Sequence, residues 1–73
     1  MNELKLSKEI YNYSLVKIAA KEFDGISNIV INDEQDYLRC VFSECVYDAE
    51  TTLKEFENYV IDLNNQRGLI WQM

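Results

Sequence analysis

The chain has 73 residues, which is enough for one small domain built around a single core. Thirteen acidic side chains against seven basic ones give a formal net charge of -6, which repels nucleic-acid phosphates and anionic lipid headgroups. Direct binding to nucleic acid or to a membrane is therefore not expected. The apolar fraction of 48% and the absence of proline are typical of a folded chain and not of a disordered one.

The sequence predicts a cytoplasmic location. No run approaches the length of about 18 apolar residues that a membrane helix needs, and residues 1–5 lack the pattern of a signal peptide. Two cysteines are too few for the disulfide framework of small secreted domains. We expect Cys40 within a strand and Cys45 just past its end, in a geometry that does not favour a disulfide.

The first predicted element is a strand over residues 2–11. Leu4, Leu6 and Ile10 alternate with polar neighbours and define its apolar face.

A short helix is predicted next, over residues 15–23. Ser14 is placed to cap its first turn, and the apolar positions, Ile18 among them, form one broad buried stripe. Gly25 is expected to end the helix region in a left-handed conformation.

A hairpin follows. The β-branched run within residues 26–32 predicts a strand, and the polar residues 32–36 predict a turn. Residues 37–43 then alternate cleanly and form the clearest strand in the sequence. One face of that strand carries Leu38, Cys40 and Phe42, and the other carries Tyr37, Arg39 and Val41.

The last predicted element is an amphipathic helix. It begins at Asp48 or at Thr52, where residues 52–55 match a capping box, and it ends near Arg67 and Gly68. Its inward positions are Leu53, Phe56, Val60 and Leu63.

These elements predict one α+β domain over residues 1–73, in the order strand, helix, strand, strand, helix. The simplest arrangement is a three-stranded sheet with both helices on one face, in which the second hairpin strand pairs with the first strand of the chain. Residues 69–73 form either an apolar tail or a short fourth edge strand in ferredoxin-like order.

The residue types argue against catalysis. The chain has no histidine, so the commonest general base and metal ligand is missing. Two cysteines alone do not complete a zinc site, and two glycines do not make a phosphate-binding loop. We therefore predict no catalytic, cofactor-binding or metal-binding residues, and expect the protein not to be an enzyme.

Binding surfaces are the better-supported sites. Tyr37, Arg39 and Val41 lie on the sheet face that the helices leave uncovered, and unpaired strand edges are a second place where a peptide can add. Trp71 is a candidate interface anchor, and with the apolar tail it offers a route to a homodimer. Tyr59 is expected at the edge of the core, as an aromatic ring on an amphipathic helix.

Three segments carry a resemblance to a family: residues 10–15 (IYNYSL), 18–23 (IAAKEF) and 55–63 (EFENYVIDL). They resemble the small HxsD-like proteins, which accompany radical-SAM enzymes in the maturation of ribosomally made peptides of the His-Xaa-Ser type. The resemblance implies an accessory protein without a cofactor, which holds a precursor peptide or the radical-SAM enzyme. It also implies a specific contact at residues 56–59, which include Asn58 and Tyr59.

Two functional hypotheses follow. The first is a noncatalytic accessory protein of peptide maturation, whose partner-binding residues are Tyr37, Arg39, Val41, Asn58, Tyr59 and Trp71. The alternative is a small acidic inhibitor, such as a phage-encoded anti-defence protein, that occupies a basic nucleic-acid-binding channel.

Overall fold

The computed structural model describes residues 2–65 in full, and its last helix is assigned through Gln72. The elements are β1 (Asn2–Ser7), α1 (Tyr13–Glu22), β2 (Asn28–Asp33), β3 (Tyr37–Ser43) and α2 (Ala49–Gln72). The α+β class and the order of elements are as the sequence predicts. The predicted helix end near Arg67 and Gly68 is wrong, because α2 continues through Gln72, and residues 69–72 belong to this helix instead of a tail or a fourth strand. Met73 and the side chains from residue 66 onward lie outside the described residues.

The sheet has the order β1-β3-β2, and both pairs are antiparallel. The prediction that the second hairpin strand pairs with β1 is confirmed. In register, Cys40 of β3 lies opposite Leu4 of β1 on one side and Ile31 of β2 on the other. β1 and β2 therefore run parallel to each other, with β3 between them and α1 as their connection.

The core lies between the sheet and the two helices. The inward residues of β3, which are Leu38, Cys40 and Phe42, are buried, as their alternation predicts. Both helices pack on this face, and their residues in the core cluster are Val16, Ala19, Phe56 and Val60. The ring of Phe56 meets Phe23 and Phe42 edge-on, with centroids 5.3 Å apart in each pair. This aromatic cluster joins α1, α2 and β3.

β1 is shorter than predicted, because a turn follows Ser7. The backbone carbonyl of Ser7 accepts from the N–H groups of Tyr11 (2.9 Å) and Ile10 (3.2 Å). The alternating pattern across residues 2–11 gives no sign of this turn. Ile10 consequently leaves the apolar face on which it was expected and is 63% exposed.

The cap of α1 is Asn12, and the prediction of Ser14 is wrong. The Asn12 side-chain oxygen accepts from the Ser14 N–H at 2.7 Å, so the helix begins two residues earlier than expected. Its buried side is also narrower than expected. Leu15, Val16 and Ala19 are buried, but Ile18 is 50% exposed because the sheet covers one side of the helix only.

The connection from α1 to β2 does not use a left-handed glycine, contrary to the prediction for Gly25. The Phe23 carbonyl accepts from the N–H groups of Ile26 (2.8 Å) and Ser27 (3.0 Å), and these bonds turn the chain. Ser27 is buried and donates its hydroxyl to the Ser43 carbonyl at 2.9 Å. The start of β2 is thereby fixed to the end of β3.

The predicted hairpin is confirmed. β3 has the predicted bounds, whereas β2 covers Asn28–Asp33 and so starts two residues later than expected. The Glu34 N–H donates to the Tyr37 carbonyl at 3.0 Å and closes the turn.

α2 starts after Asp48, the first of the two predicted starts. The Asp48 carboxylate accepts from the Thr51 N–H (3.0 Å) and hydroxyl (3.1 Å), as a helix cap does. The capping box at residues 52–55 is wrong, because Thr52 is buried within the helix and donates its hydroxyl to the Asp48 carbonyl. The inward positions of the helix are as predicted, with Phe56 and Val60 buried and Leu53 and Leu63 packed against the core.

Candidate partner-binding surface

The sheet face that points away from both helices is the candidate site, and we call it the outer face. The strand registers place the following residues on it: Glu3, Lys5 and Ser7 of β1, Asn28, Val30 and Asn32 of β2, and Tyr37, Arg39 and Val41 of β3. No element within residues 2–65 packs on this face, and Val30 is 50% exposed there.

Arg39 lies at the centre of the outer face, opposite Lys5 in β1 and Asn32 in β2. Its Nη1 is 3.7 Å from Glu3 Oε2, and its Nη2 is 3.5 Å from Glu34 Oε2. Both distances exceed the roughly 2.7–2.9 Å of a strong charge-assisted hydrogen bond. The Nε atom is buried and has no acceptor among the described residues. The guanidinium therefore lies between two carboxylates without a short hydrogen bond to either of them.

A cation–π contact lies beside it. The Lys5 Nζ is 5.2 Å from the centroid of the Tyr37 ring, within the distance at which an ammonium is attracted to the face of an aromatic ring. Tyr37 is half-buried, so part of its side chain is accessible to a partner.

Apolar surface completes the outer face. Val30 and Val41 lie opposite each other in neighbouring strands and form a small patch next to Arg39. Together with Tyr37, this patch gives a mixture of aliphatic, aromatic and guanidinium groups. Such a mixture is typical of protein-binding surfaces.

The structure brings together three of the six residues predicted to bind a partner. Tyr37, Arg39 and Val41 share the outer face, but Asn58 and Tyr59 belong to α2, which lies on the other side of the sheet. The Tyr59 ring packs on Phe23 with centroids 5.7 Å apart, so it serves the edge of the core, whereas Asn58 is exposed. Trp71 belongs to α2, and its side chain lies outside the described residues.

Sequence reasoning missed Val30, Lys5 and Glu3 as members of this surface. Each alternates along its own strand, so a period of two gives the correct face once the strand bounds are known. Their position beside Arg39 depends on the register between strands far apart in sequence, for which local patterns carry no signal.

A shallow cavity of about 200 Å³ lies between the end of α1 and the start of α2. Its lining residues are Phe23, Ile26, Tyr47, Thr51, Thr52 and Glu55. Ligand pockets usually measure about 300–1,000 Å³ and hold converging polar groups. The cavity is smaller than that, and we assign it no ligand.

The two cysteines occupy the predicted places, and both are free. Cys40 is buried in β3, and Cys45 follows the end of that strand, with its Sγ 3.3 Å from the Ser27 hydroxyl. Burial raises the pKa of the Cys40 thiol to about 11, so this thiol stays protonated at neutral pH. A protonated, enclosed thiol is a poor nucleophile.

The described residues contain no group of three or more histidine, cysteine, aspartate or glutamate side chains arranged to hold a metal ion. Over the same part of the chain, no helix combines the length and the apolar character needed to cross a bilayer.

Comparison with known proteins gives no match: neither a family model, nor a curated protein, nor a solved structure is similar to this chain. The resemblance to the HxsD-like proteins therefore rests on residues 10–15, 18–23 and 55–63 alone.

Proposed function

We propose that this chain is a noncatalytic accessory protein of ribosomal peptide maturation, which holds a precursor peptide or a radical-SAM enzyme on its outer face. The observation that carries the proposal is the state of Arg39. Its guanidinium is at the centre of an uncovered sheet face, its ion pairs are long, and its Nε has no acceptor among the described residues.

A carboxylate of the partner would complete the site. An arginine presents its donors in a planar fork that matches the two oxygens of a carboxylate. A partner that displaces Glu3 or Glu34 from Arg39 exchanges a long contact for a short, paired one. The neighbouring Tyr37 ring and the two valines, Val30 and Val41, then pack against the apolar part of the same segment.

The resemblance supplies the class of partner. In HxsD-like systems the accessory protein acts beside a radical-SAM enzyme, which performs the chemistry, and a precursor peptide, which is the substrate. A partner segment with an acidic residue flanked by apolar or aromatic residues fits the groups that the outer face offers.

A binding assay with two matched variants tests this proposal. The probes are the radical-SAM enzyme and the precursor peptide encoded beside the gene, with affinities measured by titration calorimetry. Arg39→Ala should weaken binding by about tenfold or more, because it removes the central donor group. Lys54→Ala removes one positive charge from exposed α2 and should leave affinity within about twofold, since rim charges contribute little.

Equal losses in the two variants would show a general charge effect and would contradict a site at Arg39. Absence of binding to either probe at micromolar concentration would contradict the accessory role itself. The same conclusion would follow if no radical-SAM gene lay near this one.

The second candidate function is the acidic inhibitor, and the charge of α2 favours it. From residue 48 to residue 65 the chain has a single basic side chain, Lys54. The acidic side chains of that segment, none of them buried, are Asp48, Glu50, Glu55, Glu57 and Asp62. A helix with this charge can imitate a nucleic-acid backbone toward a basic channel.

Salt separates the two candidates. Charge mimicry depends on long-range attraction, which is screened beyond about 8 Å at physiological ionic strength. Binding by α2 should therefore weaken steeply between low and high salt and should be insensitive to Arg39→Ala. Binding by the outer face should change less with salt, because apolar contacts contribute to it, and it should be weakened by Arg39→Ala.

A further inference from the structure

The free edge of β2 has unused backbone groups. The Glu34 N–H bonds to the Tyr37 carbonyl, and from this pair the hydrogen-bonded pairs of an antiparallel ladder alternate along the register. Val30 and Asn32 therefore direct their backbone groups toward β3, while Ile29 and Ile31 direct theirs outward. No residue within 2–65 supplies a hydrogen-bond partner for these outward groups.

The sequence of this edge is a palindrome. Residues 28–32 read NIVIN, with Val30 as the centre of symmetry. An antiparallel strand of the same sequence, centred on Val30, places each residue opposite an identical one: valine on valine, isoleucine on isoleucine and asparagine on asparagine. A twofold symmetric interface requires this kind of self-complementary surface.

We propose that β2 pairs antiparallel with β2 of a second copy of this chain, about a twofold axis at Val30. The two sheets join into one sheet of six strands, with the helices of both copies on the same side. Ile29 and Ile31 form the hydrogen-bonded pairs, and Val30 meets Val30 of the second copy on the outer face. The proposal does not depend on the proposed function, but it would make the two outer faces continuous.

The opposite edge of the sheet, formed by β1, is less suited to pairing between two copies than the edge formed by β2. β1 carries Glu3 and Lys5 on its outer face, and pairing of two copies about Lys5 would place two ammonium groups directly opposite each other. Charged residues of this kind are how proteins prevent edge strands from pairing. From residue 28 to residue 32, β2 has no charge, no proline and no glycine.

The expected association is weak and reversible. A single pair of short strands buries less than the roughly 1,200 Å² of a standard stable interface, so dissociation constants in the micromolar range are expected. The mass in solution should accordingly rise with concentration, from that of the 8.6 kDa chain toward twice that value.

Sedimentation equilibrium with two lysine variants tests the interface. In Val30→Lys, two like charges meet on the twofold axis, and dimerisation should weaken about tenfold or more. Val46→Lys is the matched control, because Val46 is exposed and lies outside β2. A chain that stays monomeric up to about 500 μM contradicts the proposal, since strand pairing of this size should be visible there. A dimer that Val30→Lys leaves unchanged also contradicts it.

Disulfide trapping tests the register and remains informative if a lysine disturbs the fold. Val30 forms a non-hydrogen-bonded pair across the axis, where Cα atoms lie about 4.5 Å apart, within the range of a disulfide. In a Cys45→Ser background, oxidised Val30→Cys should run as a covalent dimer, and Val46→Cys should not. Equal cross-linking of both variants, or of neither, would overturn the assigned register. A monomer that binds extended peptides at this edge would overturn the dimer itself.

Discussion

The two faces of β3 differ sharply, although their residues alternate along one strand. Leu38, Cys40 and Phe42 are buried under the helices, whereas Tyr37, Arg39 and Val41 are only half-buried on a face without a covering layer. The inner face is held by apolar and aromatic packing, and the outer face by long ion pairs and a cation–π contact. One face of the sheet in this small domain therefore stabilises the fold, and the other is left available for contact.

The largest effect is expected from the residue that covers the inner face. Phe56→Ala removes a fully buried ring that contacts both Phe23 and Phe42. The free energy of unfolding should fall by about 3–5 kcal/mol, from lost transfer energy and the cavity that remains. Urea denaturation measures this change. For a domain of this size the loss approaches the whole stability, so the variant should be largely unfolded.

Tyr47→Ala is the control for that variant, because Tyr47 is 67% exposed. Its truncation should cost less than about 1 kcal/mol. If both truncations cost the same, the division between a packed core and an open surface would be wrong.

A smaller effect on the inner face concerns pH. Burial raises the pKa of Cys40 from 9.0 to about 11. Between these values the unfolded chain releases the thiol proton and the folded chain keeps it, so rising pH favours unfolding. The contribution of Cys40 is complete below about pH 9 and falls by about 2–3 kcal/mol as the pH approaches about 11.

The measurement is urea denaturation of the native chain and of Cys40→Ala across this pH range. The variant is expected to be less stable throughout but to lack this part of the alkaline slope. Equal slopes for the two proteins would mean that Cys40 is not enclosed in the folded state.

The smallest effect on stability is expected on the outer face. Arg39→Ala removes contacts of 3.5 and 3.7 Å to carboxylates that are themselves partly exposed. Ion pairs of this kind contribute about 0–1 kcal/mol, so the urea midpoint should change little. A loss as large as that in Phe56→Ala would show that Arg39 stabilises the fold. The division between a stabilising inner face and an open outer face would then be wrong.

Local patterns predicted the elements whose signal lies within one segment. The alternation over residues 37–43 gave the bounds and both faces of β3, and the spacing of Phe56 and Val60 gave the inward side of α2. The starts of the helices were harder to predict, because several neighbouring residues in each case can act as the cap. Thr52 lies on the same side of α2 as Phe56 and Val60, so it is buried within the helix. The cap is Asp48 instead.

The candidate site could be predicted only in part, for a related reason. Tyr37, Arg39 and Val41 share the phase of one strand, and the sequence groups them correctly. Glu3 and Val30 join them through strand pairing over long sequence separations, which no local pattern encodes. Asn58 and Tyr59 followed from a resemblance, and the structure places them on a different layer.

The central claim is the proposal that the outer face of the sheet binds the partner. Its most direct test is a map of backbone amide chemical shifts, recorded on the isotope-labelled chain while the proposed partner, a precursor peptide of a radical-SAM system, is added. We expect the largest shift changes at Lys5, Val30, Tyr37, Arg39 and Val41. Changes confined to the exposed acidic side of α2, with these five amides unmoved, would contradict the account.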